Sequence, residues 1–168
     1  MLCTTITELD DWFMEKAKKI AAKLISYKMY TCNEVYKKLV QKGIDDDIAQ
    51  ATVDEFVKAG ILDDMEYAKL YIHDAQAIGL KGMYRIRQEL LSKGVASSVI
   101  EKAANECEID PEEMLENYVT LRFGDKQFSD YKELEKAKAH LLRRGFAIGD
   151  INRCFKKLDI CVVRGDDE

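Results

Sequence analysis

Gly43, Gly94 and Gly145 are separated by the same 51 residues, and the residues around them repeat as well. Leucine stands four positions before each (Leu39, Leu90, Leu141), and a basic residue stands immediately before (Lys42, Lys93, Arg144). An apolar residue follows directly (Ile44, Val95, Phe146), and thirteen positions after each glycine come Phe56, Cys107 and Leu158. A single Leu-x-x-Lys/Arg-Gly ending closes many helices, because glycine reaches the left-handed conformation without steric penalty. Three copies in register, with matching apolar offsets, specify a repeat architecture. The middle copy shows the unit best. Met83, Ile86 and Leu90 share one face of a short amphipathic helix, while Arg85, Gln88 and Ser92 line another.

Reading outward from the glycines, the whole chain parses as helices. From Ile6 to about Lys28, the residues Leu9, Phe13, Ala17, Ile20, Leu24 and Tyr27 form one continuous apolar stripe. Thr31 and Glu34 then make a capping box, with Tyr30 stapled onto Val35. One of Asp45, Asp46 and Asp47 caps the next helix, whose buried face is Ile48, Thr52, Val53 and Phe56. After Gly60 the device recurs, with Asp63 as cap, Glu66 as its box partner and Leu62 stapled to Tyr67; that helix runs to Gly79. A partner helix follows the middle hairpin from about Ser97 to Cys107. Asp110 caps a further helix, Pro111 takes its first position and Ile109 staples to Met114; Gly124 ends it. Asp130 and Glu133 open the third copy. Cys161-Val162-Val163 is too short to count as a strand.

The expected fold is therefore all-α, with about nine helices in three tandem three-helix repeats forming an elongated, curved, right-handed or solenoid-like array. The repeats are placed at 1–59, 60–108 and 109–160, with a frayed tail at 161–168. At 168 residues, 47% hydrophobic and 34% charged, the chain has the balance of a folded soluble protein. No stretch approaches the ~20 apolar residues that span a bilayer, and the acidic start does not resemble a secretory signal. Five cysteines (positions 3, 32, 107, 154 and 161) lack paired spacing, and His73 and His140 lie far apart. Neither a disulfide framework nor a structural zinc site is expected, and reduced thiols point to the cytoplasm.

Charge is distributed unevenly around the net value of −5. Residues 31–78 sum to −5 and 101–118 to −6, whereas 79–100 sum to +3 and 132–158 to +5. The cations thus gather in the second and third hairpins. Lys132, Lys136, His140 and Arg143, spaced 4, 4 and 3 apart, share one helical face. Such a run is commonly a solvated face; two basic hairpins at equivalent repeat positions can instead line one surface for an anionic partner. An autonomous nucleic-acid binder is usually basic overall, with a pI above ~9, and this chain has a pI near 5.2. A partner combining acidic protein surface with nucleic acid, or one presenting patches of both signs, fits better, and any DNA contact is expected to be weak.

No catalytic constellation stands out: there is no nucleophile elbow and no P-loop, and Gly79-Leu80-Lys81-Gly82 lacks the strand a phosphate cradle requires. Asp45-Asp46-Asp47, directly after a glycine turn, reads as capping rather than as a metal cluster. His73 and the adjacent Asp74 point apart on a helix. No enzyme, cofactor or metal is expected.

These residues resemble a known family. Leu24-Ile25-Ser26-Tyr27-Lys28, Thr31-x-x-Glu34-Val35, Leu39-Val40-Gln41-Lys42-Gly43-Ile44 and Gly60-Ile61-Leu62-Asp63-Asp64-x-x-Tyr67-Ala68 look like the first part of RecX, the bacterial regulator of the RecA recombinase. Gly79-x-x-Gly82-x-x-Arg85-Ile86-x-x-Glu89-Leu90-x-x-Lys93-Gly94-Val95 is similar to its central motif, and Leu141-x-x-Arg144-Gly145-Phe146 to its C-terminal one. The resemblance spans roughly residues 16 to 158. It implies three three-helix units, no catalysis, and binding along the groove of a RecA–DNA filament. There the family hinders filament extension, strand exchange, ATP hydrolysis and co-protease action, in DNA repair, recombination and the SOS response. The expected binding surface is Lys81, Arg85, Arg87, Lys93, Lys132, Lys136, Arg143 and Arg144. Asp63, Asp64, Tyr67, Gly43, Gly94 and Gly145 are assigned to capping and packing, and a monomer is expected. The competing readings are a stand-alone helical module for single- or double-stranded DNA and a general adaptor for a peptide ligand.

Overall fold

The computed structural model describes residues 3–77, 81–108, 110–124 and 128–162, with side chains described from residue 11 onward except 76 and 77. Among these residues lie nine α-helices and no strand. They are α1 (Cys3–Ile25), α2 (Cys32–Gln41), α3 (Asp46–Lys58), α4 (Asp64–Ala77), α5 (Met83–Ser92), α6 (Ser97–Glu106), α7 (Pro111–Phe123), α8 (Tyr131–Arg143) and α9 (Ile148–Lys157). One isolated parallel bridge joins Phe128 to Val162. Expectations placed on Leu9, Gly79, Ile109, Val163 and most of the tail at 161–168 fall outside the described side chains or residues.

The 51-residue period is visible as columns of buried side chains. Leu39, Leu90 and Leu141 are wholly buried, as are Ala49, Ile100 and Ile151; Ile44, Val95 and Phe146 are nearly so. The column thirteen residues after each glycine is not one of these. Phe56 is buried, but Cys107 and Leu158 are only partly so. The cause is a difference of one turn: α3 is 13 residues long, whereas α6 and α9 have 10 each. Phe56 is therefore inside its helix, while Cys107 and Leu158 lie just past the ends of theirs. The positions six and nine after each glycine (Ala49, Ile100, Ile151; Thr52, Ala103, Cys154) are the true shared core.

Each hairpin turn has the same hydrogen bonds. Gly43, Gly94 and Gly145 take φ of 79°, 87° and 89°. Their N–H groups donate to Val40, Leu91 and Leu142, and the next residue donates back to Leu39, Leu90 and Leu141 at 3.1, 3.1 and 3.2 Å. This is a Schellman closure, with the apolar pair Ile44/Leu39 and its two equivalents packed beneath. Thr31 makes the full capping box with Glu34. Asp45 is the member of its triplet that caps α3. Asp63 accepts from the N–H groups of Met65 and Glu66, while the Glu66 carboxylate turns to Lys69 at 3.2 Å instead of closing a box. Asp110 and Asp130 cap α7 and α8.

The chain forms two compact units, Met1–Lys69 with Leu90–Ala103, and Leu70–Glu89 with Ala104–Glu168. In the first, α1 packs on α2 and α3 through Ala17 and Ala21, whose small side chains admit close approach, around Val35, Leu39, Ile44, Val53 and Phe56. Tyr27, expected on the buried stripe of α1, is 76% exposed. The helix stops at Ile25, so the 3.6-residue period no longer governs its direction. In the second unit α9 packs on α7 and α8 around Leu115, Val119, Leu141, Ile151 and Phe155.

Candidate partner-binding surface

Lys93 sits at a junction within the first unit. Its carbonyl, left over at the end of α5, accepts from Thr31 Oγ1 at 2.7 Å and Asn33 Nδ2 at 3.2 Å. The free carbonyls at one helix C-terminus are thus satisfied by the first turn of another. Its ammonium pairs with Glu34 at 2.9 Å and lies over the Tyr67 ring. Asp64 accepts from the Cys32 N–H at 2.9 Å, tying the start of α4 to the start of α2. The Glu34 hydrogen bond raises the Lys93 pKa, and burial only partly opposes it. Lys93 is consequently part of the packing.

The same contact recurs 51 residues later within the second unit. Gly82, at the position equivalent to Thr31, donates its N–H to the Arg144 carbonyl at 2.8 Å, and Arg85 Nη1 donates to the Arg143 carbonyl at 3.1 Å. The approach is so close that a Cβ on Gly145 would lie 2.6 Å from the Arg85 nitrogen. One chemical difference separates the two junctions. Where the first has Glu34, the second has Arg85, so no acid reaches across to Arg144 from that position.

Arg85 turns instead to Glu89, at 3.0 Å, and Lys81 reaches the same carboxylate at 2.5 Å, with the Tyr71 hydroxyl also donating. Burial pushes the Glu89 carboxyl up, but the hydrogen bonds from Lys81, Tyr71 and Arg85 outweigh it and hold the pKa at about 2. Lys81 and Arg85 therefore carry their charge next to a fixed opposite charge.

On α8 the arrangement is more open. Lys132, Lys136 and Arg143 are exposed, and so is Arg87 on α5; none of the four makes an ion pair among the described residues. His140, on the same face of α8, is half-buried with its Nε2 2.8 Å from the Tyr118 hydroxyl. Burial lowers its pKa, and Arg144, Arg143 and Arg122 lower it further. The imidazole thus registers three guanidinium groups from α7, α8 and the turn after α8. Arg122, at the last turn of α7, was not singled out by charge counting because it stands alone in sequence; only the packing of α7 near α8 places it there.

Of the eight expected cations, Arg85, Arg143 and Arg144 meet at the Gly145 junction, and Arg122 acts on His140 from the end of α7. Arg87 follows two positions along α5, and Lys132 and Lys136 extend along α8. Lys81 and Lys93 are engaged with Glu89 and Glu34. Asp46 accepts from the Tyr36 hydroxyl at 2.8 Å, and no cluster of three or more metal-ligating side chains occurs among the described residues. Burial raises the Cys32 thiol to about 12 and the Cys154 thiol to about 11, so neither is a ready thiolate. No helix among the described residues is long and apolar enough to cross a membrane.

Known proteins share this sequence and architecture. Residues 17–56 match the family model for the first three-helix domain of RecX, and residues 63–103 that for the second. Among curated proteins, "Regulatory protein RecX" of Trichlorobacter lovleyi is 30% identical over 141 residues, covering 82% of this chain and 92% of that protein. The protein of the same name from Pectobacterium atrosepticum is 31% identical, covering 79% and 91%, and that from Vibrio parahaemolyticus is 32% identical, covering 81% and 87%. The crystal structure of RecX from Lactobacillus salivarius superposes with a TM-score of 0.70 at 23% identity, over 88% of this chain and 97% of that one. With relatives at this identity aligned over most of both chains, the protein is a member of the RecX family.

Proposed function

We propose that this chain is a non-enzymatic regulator that binds RecA–DNA filaments and restrains their extension, recombinase, ATPase and co-protease activities. The observation that carries the reading is the set of open cations in the second unit: Lys132, Lys136 and Arg143 along one face of α8, and Arg87 on α5, make no ion pair among the described residues, in a chain of net charge −5. Open cations of that kind attract an anionic partner locally even though the chain as a whole is acidic. Arg85, Arg122 and Arg144 are further cations of this unit, with Lys81 held by Glu89; Lys93, in the first unit, is held by Glu34. The three-repeat division at 1–59, 60–108 and 109–160 belongs to the same proposal. Binding across a boundary between filament subunits shifts their assembly by mass action, without any reaction at the site.

Co-sedimentation with assembled RecA filaments, compared with DNA alone, tests the proposal. Arg87→Glu with Arg143→Glu should abolish co-sedimentation and the inhibition of RecA-driven ATP hydrolysis, with the helical circular-dichroism signal intact. Unchanged inhibition removes these residues from the site. Equal sedimentation with naked DNA, lost in that same double variant, favours the stand-alone DNA-binding module instead.

A further inference from the structure

Helix α1 carries a second surface, on the side away from its buried alanines. Trp12, Lys16, Lys19 and Lys23 are spaced 4, 3 and 4 apart, so they form one stripe, and all four are exposed. Trp12, the only tryptophan, is 57% exposed, and Tyr27 just beyond the helix is 76% exposed. Two aromatic rings thus flank three lysines, which rise about 10 Å along the axis from Lys16 to Lys23. The lysine nearest the indole, Lys16, lies 5.2 Å from its ring centre. Trp12, Lys16, Lys19 and Lys23 line a shallow open groove with Glu15 and Ile20, and Tyr27 lies four residues on from Lys23 in sequence. Glu15 pairs with Lys19 at 2.9 Å, leaving Lys16 and Lys23 without an acid among the described residues.

We propose that this face of α1 binds a single-stranded nucleic acid, the lysines tracking its phosphates while Trp12 and Tyr27 stack on unpaired bases. The chemistry selects this occupant. A positively charged run between exposed aromatic rings is how single strands are held without sequence preference, because every base offers a π-face. A bilayer is a poor alternative, since the apolar face an interfacial helix would insert is occupied here by the packing of Ala17 and Ala21 on α2 and α3. An acidic peptide would satisfy the lysines but leave the rings idle. The site lies wholly in the first unit and stands independently of the role given to Arg87 and α8.

The lone indole makes the test direct. Trp12 emission in the full chain, titrated with oligothymidylate at low salt, should quench saturably. For three lysine contacts, the binding constant should fall with salt at a log–log slope of about −2. Lys16→Glu with Lys23→Glu should remove the quench, and Tyr27→Ala should weaken it. Anisotropy of a labelled oligonucleotide should give the same ranking, including for Trp12→Ala, where emission cannot report. Arg87→Glu with Arg143→Glu should leave the quench unchanged, which separates this site from the filament surface. The proposal is overturned if oligothymidylate fails to quench, if poly-glutamate quenches equally well, or if the quench survives the double lysine reversal.

Discussion

Gly145 satisfies two demands at once, and Gly43 only one. All three hairpin glycines need φ near +80 to +90°, where an L side chain costs about 1–2 kcal/mol. A Cβ on Gly43 would meet nothing within 4 Å, while one on Gly145 would press into the backbone of Arg85. Gly43→Ala should therefore cost about 1–2 kcal/mol, and Gly145→Ala clearly more, as read by urea denaturation of each variant. Equal losses would mean that the junction at Arg85 yields freely. The charge-bearing residues divide in a similar way. Glu89 holds both Lys81 and Arg85, so Glu89→Gln should lower stability while freeing two cations. On the proposed reading, RecA-filament affinity then rises or holds. A loss of affinity in a folded Glu89→Gln protein would show that the paired geometry, not the net charge, is what the filament recognises.

Thr31 joins elements that the sequence separates widely. Its hydroxyl oxygen accepts from the Glu34 N–H at 3.1 Å as the cap of α2, and its proton goes to the Lys93 carbonyl, 62 residues away. Thr31→Ala removes both in a fully buried position, so a loss of about 1–2 kcal/mol for the cap alone is a lower bound. The measurement is again the denaturation midpoint, with Thr31→Ser expected to recover most of the loss. The local half of this arrangement was readable in advance. Capping boxes, glycine closures and the apolar face of each hairpin helix depend on residues within one or two turns, and the 51-residue period ties three noisy copies together. The distant half was not. Nothing local says that Lys93 faces Glu34, that Arg85 reaches the Arg143 carbonyl or that His140 leans on Tyr118, because those depend on how helix ends meet. A count of cations treats Lys81 and Lys93 as equal to Arg87, and only contact separates the engaged ones from the open ones. The basic stripe of α1 escaped for a related reason: its lysines alternate with core alanines, so the helix reads first as apolar.

Each unit has a carboxylate that ties separate elements together, Glu34 in the first to Lys93 and Glu89 in the second to Lys81 and Tyr71, and this sets how the whole protein responds to acid. Both carboxyls are held below their ordinary value of 4.5. In each, hydrogen bonds from a lysine and other donors overcome the opposing effect of burial. The unfolded chain therefore binds these two protons more readily than the folded one. Their contribution is fully present above about pH 4.5, declines as the unfolded carboxyls begin to protonate, and is gone once pH falls through the folded values, about 2 for Glu89. The partnering lysines, raised above 10.5, lose their contribution only in strong alkali. Stability measured by urea denaturation should thus slip slightly as pH falls through about 6.5, where the His140 imidazole protonates more readily in the unfolded chain, and fall steeply below about 4.5. Because both groups are largely shielded by their neighbours, moderate salt should change this limb little. Glu34→Gln should lower neutral stability and shallow the acid limb; adding Glu89→Gln should flatten it further. An acid limb as steep in the double variant as in the parent would place the proton-sensitive groups elsewhere in the molecule.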